Sequence, residues 1–203
     1  MRGGFAAAAA IAVALLLVQN SAQAVLLTFD DLPGDGSAVP IGYGGVDWSN
    51  FNNFDGVNYA NNPSGYENGV KSPNNVIFNN FGNPASILES ATPFALNSFY
   101  ITAAWNDGLN VRIDGSGGQT RLIVIDTSGP TLVTLDWANL ASVTFTSAGG
   151  TSHDFPSGFN SEQFAIDNIT INGATPIPAA LPLFASGLAG FGWLARLRLR
   201  RRP

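Results

Sequence analysis

From Val25 to Ile171 the chain is a succession of short runs rich in Val, Ile, Thr and Phe, each closed by Gly, Asn, Asp or Pro. No amphipathic helical pattern of normal length interrupts them. The runs are Val25–Phe29, Asn75–Phe78, Phe94–Thr102, Asn110–Asp114, Arg121–Asp126, Thr131–Leu135, Ser142–Thr146 and Phe164–Ile171. About eight short strands at this spacing mark an all-β chain folded as a single β-sandwich. A period of two buries one face of each strand, for example Val143 and Phe145 against Ile166 and Ile169. The long Asn- and aromatic-rich excursion from Asn50 to Asn83 reads as loops and short strands. It favours a jelly roll over an Ig-like sandwich.

The two ends follow other rules. Met1-Arg2, the apolar stretch Phe5–Val18 and the small residues Ala22 and Ala24 around Gln23 form a secretory signal peptide, residues 1–24, with cleavage expected before Val25. Residues 178–195 carry no charged side chain. As a helix they reach roughly 27 Å, close to the ~30 Å apolar thickness of a bilayer. Arg196, Arg198, Arg200, Arg201 and Arg202 then hold that end on the cytoplasmic side. The topology expected is a body outside and an Arg tail inside. Between the two segments residues 25–174 form one domain, long enough for a real core.

With both targeting segments removed, charge is strongly one-sided. The body keeps Lys71, Arg112 and Arg121 against all 14 acidic residues, about −11, which the whole-chain value of −5 conceals. Such a surface argues against nucleic acid, whose phosphates call for Lys and Arg, and suits solubility outside the cell and divalent cations. The chain has no Cys, so an exported body must rely on core packing.

The tail is tripartite: Pro176, Ile177, Pro178 and Ala179, then the apolar span, then the Arg cluster. In this it resembles the PEP-CTERM class of bacterial sorting signals, most closely the VPLPA variant. Thr175 stands where the variant has Val and Ile177 where it has Leu. The resemblance covers residues 175–203 and implies recognition by an exosortase-type membrane enzyme in a Gram-negative, exopolysaccharide-producing bacterium. Anchoring in the inner membrane would then be followed by cleavage near the motif and passage to the cell surface or extracellular matrix.

Three groups of body residues invite a functional reading. Asp30 and Asp31 close the first strand and Asp167 lies in the last, so the three are candidate oxygen ligands for one structural Ca²⁺, completed by loop carbonyls or Asp35. Phe29-Asp30-Asp31-Leu32 and Ile166-Asp167-Asn168-Ile169 resemble patterns of extracellular carbohydrate-binding jelly rolls that carry such an ion. The alternative is turn chemistry at strand ends. Trp48, Phe51, Phe54, Tyr59 and Tyr66 lie in one polar segment. Trp48, Tyr59 and Tyr66 are the candidate ligand-binding set, since aromatic faces suit the C–H side of a sugar and Asn-rich loops its hydroxyls. The competing destination is the core, which is the one expected for Trp105 and Trp137.

Catalysis finds little footing. His153 is the only His, no nucleophile elbow accompanies it, and nothing selects a pair of carboxylates for glycoside hydrolysis. The sequence therefore points to an exported, non-catalytic β-sandwich with exopolysaccharide as the expected partner. The alternatives are a structural matrix or adhesin component and, behind it, a polysaccharide-modifying hydrolase.

Overall fold

The computed structural model describes residues 24–172. The signal peptide apart from Ala24, and the whole 175–203 tail with its Pro176–Ala179 motif and Arg cluster, lie outside the described residues. Among the described residues no helix is long and apolar enough to cross a membrane.

The first half of the body holds β1 (Val25–Leu27), β2 (Asp35–Ala38), β3 (Val46–Ser49), β4 (Phe51–Asp55), the short helix α1 (Gly65–Gly69), β5 (Asn75–Asn79) and β6 (Ala85–Glu89). The second half holds β7 (Phe94–Ala103), β8 (Asn106–Asp107), β9 (Leu109–Gly115), β10 (Thr120–Ile125), β11 (Thr131–Leu140), β12 (Ser142–Ala148), β13 (Thr151–Ser152) and β14 (Phe164–Ile171). The larger sheet runs β11-β7-β14-β5-β4-β2, with β1 also on β14; the smaller runs β10-β9-β12-β6-β3, and β8 and β13 make a separate ribbon. Among the described residues every pairing is antiparallel.

Strand order decides between the two sandwich types. From β5 onward the chain changes sheet at each step except β9 to β10, so that β5-β14-β7-β11 faces β6-β12-β9-β10. That wrapping is a jelly roll. An Ig-like sandwich keeps its first two strands, and its D and E, within one sheet. The expected all-β single sandwich is thus the fold found.

The main core lies between the sheets. Phe99 and Ile101 of β7, Ile113 of β9, Val143 and Phe145 of β12, and Ile166, Ile169 and Ile171 of β14 are all fully buried there. Each is worth about 1.5–3 kcal/mol of hydrophobic stabilisation. Ile166 and Ile169 stand three apart, which strict alternation forbids on one face. A bulge settles it: Asn168 takes φ 52 and the β14–β7 register slips between Asp167 and Thr170. The same bulge is where the neighbour of β14 changes from β5, opposite Ile166, to β1, opposite Ile169.

One expectation needs correction. The first strand ends at Leu27 rather than Phe29, because Phe29 adopts φ 62 and turns its ring inward to meet Tyr43 at 5.6 Å and Trp48 at 5.7 Å. The short strands expected within residues 50–83 are β4 and β5 of the larger sheet, the latter matching the predicted Asn75–Phe78, while β2, β3 and β6 lie outside every run the sequence picked out. Trp105 and Trp137 do pack as expected, Trp105 in a second cluster and Trp137 half-buried against the main core.

That second cluster covers the outer face of the larger sheet. Phe54, Val76, Phe78 and Ala165 point outward from β4, β5 and β14, and Tyr66, Trp105 and Phe155 close over them.

Candidate functional site

Turn chemistry shapes the cover over this outer face. Asp55 ends β4 and folds the next residues back on itself: its carboxylate accepts from the amide of Asn58 at 2.9 Å and from Nδ2 of Asn58 at 2.7 Å. Nδ2 of Asn62 donates to the carbonyls of Gly56 (2.8 Å) and Val57 (3.0 Å), closing the loop. Ser64 caps α1 by accepting from the amide of Glu67 at 3.4 Å. Gly65 lets α1 lie against the end of β7, since a Cβ there would stand 1.7 Å from the carbonyl oxygen of Ala103. Only glycine allows that approach.

α1 thereby drives Tyr66 into the layer, where its ring meets Phe54 at 4.5 Å, Tyr59 at 5.6 Å, Phe78 at 5.6 Å and Trp105 at 5.6 Å, each near-perpendicular. The phenol is held far above its ordinary pKa, chiefly by burial. Tyr59 tilts over Phe54 at 4.9 Å, half-buried, its hydroxyl accepting from Nδ2 of Asn61 at 3.0 Å. On the far side Phe155 and Phe159 stand 6.1 and 4.8 Å from Trp105. Their loop is pinned by His153, whose Nδ1 lies 2.6 Å from a carboxylate oxygen of Asp107. His153 is therefore an anchored, part-exposed loop residue.

The layer stops short of the β2 edge and leaves a cleft of about 380 Å³. Phe54, Tyr59, Tyr66 and Phe78 supply its apolar side, and Asp35, Asp55, Asn58 and Gln163 are its polar groups. Gly34 brings the β1–β2 turn to the rim at φ 69, its amide donating to Oδ1 of the buried Asn53 at 2.9 Å. Both rim carboxylates sit below the usual range, Asp35 because the Ser37 side chain and amide donate to it, and Asp55 because Asn58 does. With the amides of Asn58 and Gln163 they give the cleft a polar rim of acceptors and donors.

The sequence-predicted residues part company here. Tyr59 and Tyr66 line this cleft together. Trp48 does not: it is buried in the main core, Nε1 donating to the carbonyl of Tyr43 at 2.9 Å, and takes no part in the site. Asp35, Asp55, Asn58 and Gln163 were not singled out for this role. For Asp55 and Asn58 the signal was present, an Asx turn directly after an aromatic strand residue.

The three aspartates form no cation cage. Oδ2 of Asp167 accepts the amides of Lys71 (2.7 Å) and Ser72 (2.8 Å), Oδ1 accepts the amide of Asn168 (2.6 Å), and Ser72 Oγ lies 2.9 and 3.0 Å from the two oxygens. Oδ1 of Asp30 accepts the amides of Asn74 (2.9 Å) and Asn75 (3.0 Å). Asp31 turns away to receive the hydroxyl of Tyr43 at 2.6 Å. Oδ2 of Asp30 is buried without a hydrogen-bond partner. No group of three or more acidic or His side chains among the described residues is arranged to hold a metal. Asp30 and Asp167 instead clamp the segment between α1 and β5 from its two ends.

No protein-family model matches the chain, and neither does any curated protein. Among solved structures it is similar to a DUF4465 family protein from Bacteroides ovatus, at 11% identity over 75% of this chain and 95% of that one, with a TM-score of 0.41. It is also similar to a family 29 carbohydrate-binding module (15%, 76% and 93%, TM-score 0.36). A third is a family 22 xylan-binding domain from Paenibacillus barcinonensis (9%, 78% and 99%, TM-score 0.37). The functional reading rests on the cleft itself.

Proposed function

We propose that the chain is an exported protein whose jelly roll binds a neutral polysaccharide, without catalysis, in the cleft beside Tyr59. The observation that carries this reading is the pairing of an aromatic wall with ionised or amide groups on one open rim, the combination that ligand clefts use to hold and orient a solute. The resemblance of residues 175–203 to an exosortase signal supports delivery to the surface, where such polymers lie. A mature protein ending near residues 176–180, without the Arg cluster, is the form expected there.

Affinity electrophoresis of the purified protein in soluble xylan, galactan, β-glucan and the producing cell's own exopolysaccharide tests the reading. Retardation by at least one polymer is expected, and Tyr59→Ala should weaken it roughly tenfold while melting stays within a few degrees, because Tyr59 is only half-buried. No retardation in any of the four would sink it. A matrix component contacting copies of itself is favoured by one separate observation. The two sheet-edge strands β10 and β11 expose Leu122 (70%), Val124 (64%) and Leu132 (53%). Concentration-dependent sedimentation, unaffected by polymer, would mark that outcome.

A further inference from the structure

One side chain outside the cleft is held in a way that packing does not explain. Phe81, in the turn between β5 and β6, is 82% exposed and adopts φ 57, ψ 19. A bulky residue in the left-handed region is a genuine outlier, and strain of this kind collects at sites of function. An exposed aromatic ordinarily needs no explanation; an exposed aromatic that also strains its backbone does.

The turn around it is built to stay put. Nδ2 of Asn50 lies 3.2, 3.2 and 3.1 Å from the carbonyls of Asn80, Asn83 and Pro84, and the carbonyl of Asn50 accepts the amide of Asn80 at 3.0 Å. Buried Asn79 adds a bond from Nδ2 to the carbonyl of Asn83 at 3.2 Å, while its Oδ1 accepts the amide of Phe164 at 2.8 Å. The turn is thus tied to the β3–β4 junction and to β14. Its place is equally defined. Phe78, three residues earlier, lines the cleft, as does Gln163. A Cβ on Gly82 would lie 3.5 Å from the backbone of Glu162, the residue before Gln163. The turn that carries Phe81 therefore borders the Gln163 end of the cleft, and Phe81 is flanked in the chain by Asn80 and Gly82 rather than by apolar residues.

We propose that Phe81 is a stacking platform for one sugar ring of a chain that extends out of the cleft past Gln163, a distal subsite that makes the site select for length. The inference rests on the cleft reading above. A single flat apolar disc in polar surroundings matches the C–H face of a pyranose, whereas a protein partner needs a wider apolar patch.

Titration calorimetry of the purified protein and its Phe81→Asn and Tyr59→Ala variants, using the triose and hexaose of the polymer that retards it most, tests this. Asn accepts the left-handed conformation, so Phe81→Asn should melt about 2–4 °C higher. The same variant should bind the hexaose at least roughly tenfold more weakly and leave the triose within about twofold. Unchanged hexaose binding, or an equal loss on triose and hexaose, overturns the proposal. So does a variant that loses self-association and keeps its hexaose affinity, which would assign Phe81 to a protein contact. If Tyr59→Ala weakens both sugars and Phe81→Asn neither, the cleft stands and the distal subsite falls. If the parent protein binds no oligosaccharide, both fall together.

Discussion

Two apolar clusters hold the described residues together, and they are built on different terms. The main core is made almost wholly by regular strands facing each other across the sandwich, and its central side chains, such as Phe99, Ile113, Phe145 and Ile166, are sealed from solvent. The outer layer has strands beneath it but loops above it: Tyr59 and Tyr66 come from the segment after β4, and Phe155 and Phe159 from the one before β14. Its large side chains are mostly aromatic, with ring centroids 4.5–6.2 Å apart in tilted or edge-on contacts. A cluster closed by strands on both sides leaves no opening. One closed by loops can stop partway across a sheet, and here the place where it stops is the cleft.

The contrast predicts unequal consequences of damage. Phe145 is fully buried between Phe51, Phe99 and Phe164, at 5.9, 5.4 and 6.0 Å. Phe145→Ala should cost about 3–5 kcal/mol, read as a collapse of the denaturant midpoint for the whole domain. Gly65→Ala should cost less, about 1–3 kcal/mol, and act differently. Its new Cβ collides with the backbone of Ala103, so α1 must lift and carry Tyr66 with it. The expected signature is faster amide exchange in residues 56–70 and weaker polysaccharide binding, with β9 and β12 still protected. Equal loss of protection in β12 would show that the two clusters unfold as one and break the comparison.

How far the sequence reached follows the same division. Alternation and turn residues carried the strands of the main core, because burial between two sheets writes itself into a period of two, as in Asn110–Asp114 and Ser142–Thr146. They failed where a neighbour distant in sequence decides. Trp48 sits in a polar segment and reads as a binding residue until β3 pairs with β6, opposite Ile87, and turns it inward. Asp167 reads as a cation ligand until the amides of Lys71 and Ser72, 96 and 95 residues away, take up its oxygens. The outer layer was legible only in part. Composition marked Tyr59 and Tyr66 as interesting, but no periodicity connects a loop aromatic to the face it will cover.

The smallest effect expected is also the one that separates the carboxylates. Asp107 is held below the usual range because His153 and Thr127 outweigh its partial burial, and Asp30 because the amides of Asn75 and Asn74 outweigh its own. A lowered folded pKa contributes stability that is present above the unfolded value of about 4 and lost as pH falls through the folded one. Asp167, fully buried on the outer face of the larger sheet, is pushed the other way: burial outweighs the donors from Ser72, Lys71 and Asn168. Its contribution is complete below about pH 4 and lost as pH rises through its folded value. Stability should therefore rise from strong acid to a maximum in the mildly acidic range and then decline on the Asp167 limb. Asp167→Asn should lower the melting temperature at the maximum, because only one of the two oxygens that accept the Lys71, Ser72 and Asn168 amides remains, and should erase the decline above it. A variant that keeps the decline would mean that another group sets it. The clamp between α1 and β5 would then be as indifferent to pH as the core it borders.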